Sequence, residues 1–283
     1  MPGFKIMIRN KLLISGAVLL ALAASCRPQE EDRSADIDFT LSSEKAAYTL
    51  VNTASEYGLE RDLTVGCHAN LLMPANIYGH DIAALTDTIR VMAYGENTLK
   101  AAPGYFLRAV EEFGYAATPL DTALADKEEA EAAADSLADF DGFISVESYL
   151  QTLTKKFMSY AVEHSEYAPM AAHGMYGVSY INFDLDSARI IGLTDIIDPA
   201  SLDSLPQLLR GKARRMTGYI GQTDITALPA NNNFYLDADG TIVFVYQPYE
   251  VASFAQGIIR IPVEAYRIDG MLTPYGKALL LEE

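Results

Sequence analysis

Residues 231–263 read NNNFYLDADGTIVFVYQPYEVASFAQGIIRIPV, and this stretch decides the fold. Its apolar runs at 234–236 and 242–246 are rich in β-branched and aromatic side chains, a composition typical of strands. Between them lies DADG at 237–240, whose Asp and Gly residues tolerate the positive φ angles of a tight turn. Pro248 cannot donate to a strand ladder, so we expect a corner at 247–250, then a short helical turn. The sheet resumes at 258–263, which predicts a hairpin followed by a third strand.

The first 26 residues have the pattern of an export signal. Lys5, Arg9 and Lys11 precede a short apolar segment at 12–24, which is too short to be a permanent membrane span. The small residues LAAS at 22–25 come directly before Cys26, and this arrangement resembles the lipobox of bacterial lipoproteins. The resemblance implies a signal peptide at 1–25 and lipidation of Cys26. The alternative is an ordinary cleaved signal with a coincidental cysteine.

Residues 26–38 are expected to form an acidic tether after the lipidated cysteine. RPQEED at 27–32 resembles the acidic motif that directs some Gram-negative lipoproteins to the outer face of the outer membrane. We therefore expect an exported protein that is anchored by lipid in the outer membrane and exposed on the cell surface.

The composition limits the classes of partner. The chain has 283 residues and a formal net charge of −17, from 21 basic and 38 acidic residues. Nucleic-acid binding requires clustered Lys and Arg, so the sequence predicts no nucleic-acid partner. Such acidity fits a cationic partner. With Cys26 lipidated, only Cys67 remains, which predicts no internal disulfide and a buried structural thiol.

A pass along the chain predicts an α+β fold, mostly antiparallel sheet with packed helices. Apolar residues at helical spacing predict a helix from about residue 81, and a second helix follows at 102–113. The Ala- and acid-rich stretch at 121–137 predicts an exposed helix or a connector. Residues 150–163 fit either a helix or a strand, and we expect a strand. Further expected elements are strands at 39–51, 62–72, 143–149 and 178–185, a loop at 194–199, a helix at 201–216, and a short C-terminal tail.

Few residues suggest chemistry. The four histidines, His68, His80, His164 and His173, show no zinc-binding spacing, and neither a nucleophile elbow nor a phosphate loop is present. DADG at 237–240 lacks the further ligands of a calcium loop. The sequence therefore predicts no metal, no cofactor and no assigned catalytic residue. Within AAHGMYG at 171–177, His173 either faces a ligand or anchors the loop to backbone groups.

Several motifs together carry a family resemblance. AAHGMYG at 171–177, SYINFDL at 179–185, LTDII at 193–197, VYQPYEVA at 245–252 and GIIRIP at 257–262 resemble the RsiV-type (DUF3298-type) extracellular domain. The typical GGAHG is here MAAHG at 170–174. Residues 39–115 resemble, more weakly, the DUF4163-like module that precedes the catalytic domain of PdaC-type peptidoglycan deacetylases. The resemblance implies an N-terminal module at 39–139 and an RsiV-like domain at 140–283.

The resemblance also implies a place in the bacterial envelope. The sequence carries neither a sigma-factor-binding segment nor a deacetylase domain, so we expect a non-catalytic protein that binds a ligand. The ligand is a cationic protein such as lysozyme, or a cell-wall or other glycan. The expected ligand-binding residues are His173, Tyr176, Tyr246 and Tyr249. One alternative is an envelope hydrolase acting on glycan or peptide through His173 and nearby acids, and another is a passive structural lipoprotein.

Overall fold

The computed structural model describes residues 7–8, 37–95, 102–120, 137, 140–216, 228 and 230–282. Cys26 and most of the expected tether and Ala-rich connector lie outside these residues. Within this part of the chain, no helix has both the length and the apolar character needed to cross a membrane.

The described residues form eleven strands and six α-helices. The strands are β1 (Met7–Ile8), β2 (Ile37–Leu50), β3 (Thr64–Ile77), β4 (Ala117–Pro119), β5 (Gly142–Leu153), β6 (Phe157–Tyr167), β7 (Met175–Asp184), β8 (Arg189–Ile191), β9 (Phe234–Leu236), β10 (Thr241–Tyr246) and β11 (Ile259–Glu264). The helices are α1 (Thr53–Tyr57), α2 (Ala83–Tyr94), α3 (Ala102–Glu111), α4 (Leu193–Ile196), α5 (Leu205–Ala213) and α6 (Pro274–Leu280), with 3-10 segments at Pro199–Ser201, Phe254–Gln256 and Ala265–Met271.

A large sheet has the strand order β1-β2-β3-β5-β6-β7-β8. Strand β4 lies outside this order and pairs with β2. Its pairs are antiparallel except β1 with β2 and β3 with β5. A small antiparallel sheet has the order β11-β10-β9. The expected α+β class with mostly antiparallel strands is confirmed. Because β3 pairs with β5, the boundary expected between residues 139 and 140 divides one continuous sheet.

Each sheet has helices packed on one face. Helices α2 and α3 cover one face of the large sheet, where Leu85, Ile89 and Phe106 join a core with strand residues such as Tyr160 and Phe183. Helices α4, α5 and α6 cover the small sheet and complete a second core. The apolar spacing that predicts α2 is confirmed, since Leu85 and Ile89 are fully buried.

The hairpin at the centre of the sequence argument is confirmed. Strands β9 and β10 pair through Phe234 and Phe244, and Gly240 in the turn has φ 78°. The Gly240 amide donates to the Asp237 carbonyl at 3.1 Å, which closes the turn. A Cβ at Gly240 would lie 2.6 Å from the Leu280 carbonyl oxygen, so this turn packs directly under α6 and requires glycine.

Four local expectations are wrong. The strand expected to stop near 72 continues through Pro74, because Pro74 lies opposite Phe39 at a register irregularity and no regular ladder bond is required of it. By contrast, the strand expected at 150–163 is confirmed, as the end of β5, a turn and the first part of β6. The expected loop at 194–199 begins as α4, and the expected tail folds as 3-10 helix and α6. Residues 37 and 38, which were expected in the tether, belong to β2, which begins at Ile37.

Candidate functional site

A buried polar seam joins the two sheets. The Asn182 side chain accepts from Ser159 Oγ at 2.6 Å and from the Leu236 amide at 3.1 Å. Its Nδ2 donates to the Phe234 carbonyl at 2.9 Å. Ser159 is fully buried and Asn182 is 2 % exposed. Because buried polar groups are costly when they lose their partners, this seam holds β9 in one position against β6 and β7.

Two further amide side chains complete the edge of β7. Gln247 Oε1 accepts from the Val178 amide at 3.0 Å, and Gln247 Nε2 donates to the Val178 carbonyl at 2.7 Å. The Tyr180 amide donates to Asn233 Oδ1 at 3.0 Å. A Cβ at Gly177 would come 2.9 Å from Gln247 Oε1, so glycine leaves room for this contact. The contacts position the corner at 247–250 beside the loop that carries His173.

The corner has the pattern of a type II turn with an unusual residue. The Glu250 amide donates to the Gln247 carbonyl at 3.1 Å, Pro248 occupies the second position, and Tyr249 occupies the third with φ 69°. That third position normally takes glycine or asparagine, because a bulky residue pays a steric cost there. Glu250 Oε2 accepts from the Gln247 amide at 2.8 Å and helps hold the turn. Tyr249 is nevertheless 56 % exposed, so packing does not explain its presence.

Four rings meet beside this corner, and we call them the aromatic surface: His173, Tyr176, Tyr249 and Phe254. Phe254 lies at the centre, with ring centroids 4.2 Å from His173, 5.5 Å from Tyr249 and 5.7 Å from Tyr176. His173 and Tyr249 are exposed, while Tyr176 and Phe254 are half-buried. The structure therefore brings three of the four expected ligand-binding residues together on one accessible surface.

Tyr246 is the exception among the expected site residues. It is fully buried in the core of the small sheet, so its ring cannot line an open cleft in this structure. The physical reason is that both faces of β10 are covered: Tyr246 points toward α5 and its neighbours, and Val245 points toward the large sheet. We correct its assignment from a ligand contact to a core residue.

His173 shows no geometry of a catalytic base. Its Nδ1 lies 2.9 Å from the Gly174 carbonyl, so it is hydrogen-bonded to its own loop and stacked on Phe254. In the described ranges, none of the ion pairs includes His173. A general base is normally oriented by a second group on its other nitrogen.

A serine, a histidine and a carboxylate do meet elsewhere, on the face of the large sheet that lacks helices. Ser145 Oγ and Glu147 Oε1 both lie 2.7 Å from His68 Nε2. In a nucleophilic triad the serine and the carboxylate contact different ring nitrogens. Because one nitrogen serves both partners here, this arrangement is a polar network rather than an activated nucleophile. Asn70 extends it by donating to Glu147 at 3.0 Å.

The remaining candidate sites are Cys67, groups of metal-ligating side chains and a surface cavity. Cys67 is buried, and burial raises the pKa of its thiol to about 12, so it is not a nucleophile at neutral pH. Within the described ranges, no three His, Cys, Asp or Glu side chains are grouped to hold a metal ion. One surface cavity of about 240 Å³ lies under the end of α6 and contains none of the expected site residues; it is lined by residues 154–157, Ala238, Gly240, Leu279, Leu280 and Glu282.

The central residue of the aromatic surface was missed by sequence reasoning. Phe254 stands alone between Ser253 and Ala255, with no periodic neighbours that would mark it as core or contact. The available signal was a single aromatic residue between the Pro248 corner and Gly257, which has φ 66°. That signal indicates a loop but not the partners of the ring.

Comparisons with known proteins find similarity to one family. Residues 194–265 match the sequence model of the family described as "Protein of unknown function (DUF3298)". A crystal structure of a DUF3298 family member from Bacteroides fragilis has a TM-score of 0.60 and 22% sequence identity, covering 88% of this chain and 97% of that chain. A DUF3298 family protein from Pseudomonas aeruginosa has a TM-score of 0.46 and 16% identity, covering 83% and 95%.

No curated protein matches the chain. The Bacteroides fragilis structure shares the α+β fold of this chain. Residues 194–265, which contain α5 and the small sheet with its aromatic corner, match the DUF3298 family model.

Proposed function

We propose that this chain is a non-catalytic, lipid-anchored protein of the bacterial cell envelope that binds a glycan on its aromatic surface. The export signal, the lipobox-like residues before Cys26 and the RsiV-like motifs support the location. We place the anchor in the outer membrane, with the folded part exposed, because of the acidic residues after Cys26. The aromatic surface supports the binding activity.

The observation that carries this proposal is the strained, exposed ring of Tyr249. A left-handed conformation costs a non-glycine residue about 1–2 kcal/mol. Glycine at this position would remove that cost, and Tyr249 regains little by packing because it is 56 % exposed. The ring therefore makes sense as a contact for something outside the chain.

A sugar ring suits the chemistry of this surface. The face of an aromatic ring is electron-rich, and the C–H groups on one face of a pyranose are weakly positive, so the two surfaces stack. The rings of His173, Tyr249 and Phe254 lie close together, and tyrosine hydroxyls are able to hydrogen-bond to sugar hydroxyls. A hydrolase that uses His173 has no such support, since no acid of the described chain pairs with that side chain.

The charge of the chain favours a second candidate ligand, a cationic protein such as lysozyme. With a net charge of −17 the protein attracts basic partners over a Debye length of about 8–10 Å. Such binding would depend on salt, whereas stacking of an uncharged glycan would not. The two candidates can therefore be separated by ionic strength.

The test compares Tyr249→Gly with Tyr266→Ala. Tyr266 is a suitable control because it is 64 % exposed and lies away from the aromatic surface, against Arg267. In pull-downs with purified peptidoglycan and on glycan arrays, Tyr249→Gly and Phe254→Ala should retain less than about a fifth of the binding, a loss of roughly 1 kcal/mol or more. Tyr249→Gly should also raise the unfolding free energy by about 1 kcal/mol.

Equal binding by Tyr249→Gly and the unsubstituted protein would refute the glycan site. Calorimetry with lysozyme at low and moderate salt tests the second candidate, which requires tighter binding as screening falls. The location is tested by Cys26→Ser, which should move the protein from the membrane fraction to the soluble fraction.

A further inference from the structure

Three more rings lie on the face of the large sheet that lacks helices. Phe143 and Tyr167 are directly opposite one another on β5 and β6, with ring centroids 6.3 Å apart and ring planes at 24°. The ring of Phe140 lies over Gly66, the β3 partner of Phe143, since a Cβ at Gly66 would overlap that ring. We call Phe140, Phe143 and Tyr167 the aromatic stripe. All three side chains are half-buried, so each keeps part of its surface open to solvent.

The aromatic stripe is continuous with the aromatic surface. Tyr176 lies opposite Ser165 on β6, and Ser165 is two residues from Tyr167 on the same face. Tyr167 and Tyr176 are therefore diagonal neighbours on adjacent strands, about 7–8 Å apart. The Tyr167 hydroxyl also donates to the Ala171 carbonyl at 2.9 Å, which ties the stripe to the loop that carries His173.

This loop repeats the strained turn of Tyr249. The turn at 168–171 is closed by a backbone hydrogen bond of 3.1 Å, with Pro169 in the second position and Met170 in the third with φ 65°. Glycine is normal at that third position. Met170 is 65 % exposed, so packing does not repay the cost of its left-handed conformation. Two exposed apolar side chains in strained turns therefore occur close to His173.

Beyond the aromatic stripe the same face becomes polar. Ser145 and Glu147 both contact His68, and Asn70 donates to Glu147 and accepts from Ser43 at 2.7 Å. In the part of the chain that the structure describes, neither the second carboxylate oxygen of Glu147 nor Nδ1 of His68 has a partner. The Glu147 side chain is 43 % exposed. A carboxylate oxygen and a ring nitrogen are thus available to hydroxyl groups of a ligand.

We propose that the ligand of the aromatic surface is an uncharged glycan chain of several sugar units, which continues past Met170 and along the aromatic stripe toward Glu147 and His68. This proposal rests on the proposed function and specifies its ligand as a chain rather than one or two sugars. Stacking rings beside polar groups suit the C–H faces and the hydroxyl edges of a sugar chain. Glu147 and Glu163, opposite one another on this face, repel an anionic chain.

The width of the face sets the length of the chain. Tyr176, Ser165, Ser145 and His68 form one row on four adjacent strands. Because neighbouring strands are about 4.8 Å apart, this row is about 14 Å long. A single sugar, whose ring is about as large as that of a phenol, covers only one part of it. Several linked units are needed to contact both the aromatic surface and the polar end of the row.

The experiment is calorimetry of the purified protein with disaccharides and hexasaccharides of β-1,4-linked N-acetylglucosamine and of β-1,4-linked glucose. At least one hexasaccharide should bind about tenfold or more tighter than its disaccharide, because only the longer chain reaches the aromatic stripe. A hyaluronan hexasaccharide, which carries carboxylates, should bind more weakly than the tighter of the two uncharged hexasaccharides.

Two substitutions with matched controls locate the chain. Met170→Ala and Phe143→Leu should each weaken hexasaccharide binding by about fivefold or more and leave disaccharide binding within about twofold. Met175→Ala and Phe113→Leu should change neither. Met175 is exposed but lies on the opposite face of β7 from Tyr176, and Phe113 packs on the core under the helices.

A third pair of variants examines the polar end of the row. Glu147→Gln should weaken hexasaccharide binding by about threefold or more, because it removes a charged acceptor of hydroxyl groups. Glu44→Gln is the control. Glu44 is exposed on the opposite face of β2 from Ser43, so its carboxylate does not reach the chain.

Melting temperatures separate a binding role of Met170 from a structural one. Met170→Gly should bind the hexasaccharide as weakly as Met170→Ala but melt at a higher temperature, since glycine adopts the left-handed conformation without steric cost. If Met170 served the fold alone, both variants would bind the hexasaccharide like the unsubstituted protein.

The proposal is overturned if neither hexasaccharide binds more tightly than its disaccharide, or if no oligosaccharide binds at all. It is also overturned if Met170→Ala and Phe143→Leu bind the hexasaccharide no more weakly than their controls. In these cases the proposed function still stands as long as Tyr249→Gly weakens binding to peptidoglycan or to the glycan array. The failure of the extended chain and the failure of the glycan site can therefore be told apart.

Discussion

Replacing Asn182 with alanine should loosen the attachment of the small sheet to the large one. The substitution removes three hydrogen bonds of the buried seam, to Ser159 Oγ, the Leu236 amide and the Phe234 carbonyl. Each buried hydrogen bond contributes about 1 kcal/mol net. We therefore expect a loss of about 3 kcal/mol in unfolding free energy.

That loss corresponds to a fall in melting temperature of about 6–12 °C for a chain of this size. Guanidinium unfolding and thermal melts measure it directly. Hydrogen exchange adds a local measurement, because amides of β9 and β10 should lose protection before those of the long β2–β3 pair. The result would be a protein in which the aromatic corner moves relative to His173.

Asn70→Ala is the matched control. It also removes two side-chain hydrogen bonds, from Ser43 at 2.7 Å and to Glu147 at 3.0 Å, but on the open face of the sheet. Water replaces those partners, so the cost should stay below about 1 kcal/mol. If Asn182→Ala costs no more than Asn70→Ala, the seam does not hold the sheets together.

Two further predictions concern pH and glycine. Burial lowers the pKa of His164 below its usual 6.5, so the unfolded state binds more protons than the folded state in this pH range. The free energy of unfolding should therefore fall as the pH drops below about 6.5. The guanidinium midpoints measured at pH 7.5 and 5.5 should differ less in His164→Gln than in the unsubstituted protein. An unchanged pH dependence in the variant would contradict this role of His164. A Cβ at Gly142 would lie 2.5 Å from the Tyr167 carbonyl oxygen, whereas Gly104 in α3 has no atom within 4 Å. Thermal melts should therefore show that Gly142→Ala is destabilised by about 2 kcal/mol or more. Gly104→Ala should be unchanged or stabilised by up to about 1 kcal/mol. Similar effects of the two substitutions would refute the packing argument.

Local patterns predict much of this fold because local forces determine those elements. The β9–β10 hairpin follows from turn chemistry between two apolar runs, and α2 follows from the spacing of Leu85 and Ile89. Residues 150–163 were ambiguous for a physical reason. Their apolar side chains suit either period, and the strands form because β5, β6 and β7 pair with one another.

The candidate site was predictable only in part. His173, Tyr176 and Tyr249 lie in glycine- or proline-bearing segments, and these segments indicate exposed, bent backbone. Tyr246 could not be distinguished from them by sequence, because an unbroken apolar run does not show which face of a strand is covered. Phe254 was missed because nothing in its immediate neighbours shows that three other rings surround it.

The amino-acid sequence by itself determined the acidic charge, the α+β class and the turn at 237–240, since each depends on composition or on residues close in sequence. Only the tertiary structure decided that β3 and β5 share one sheet, that Tyr246 is buried and that the rings of His173, Tyr176 and Tyr249 meet around Phe254. These features depend on contacts between residues tens of positions apart. Their free energy comes from packing and from buried polar pairs across the two sheets, which no local pattern encodes.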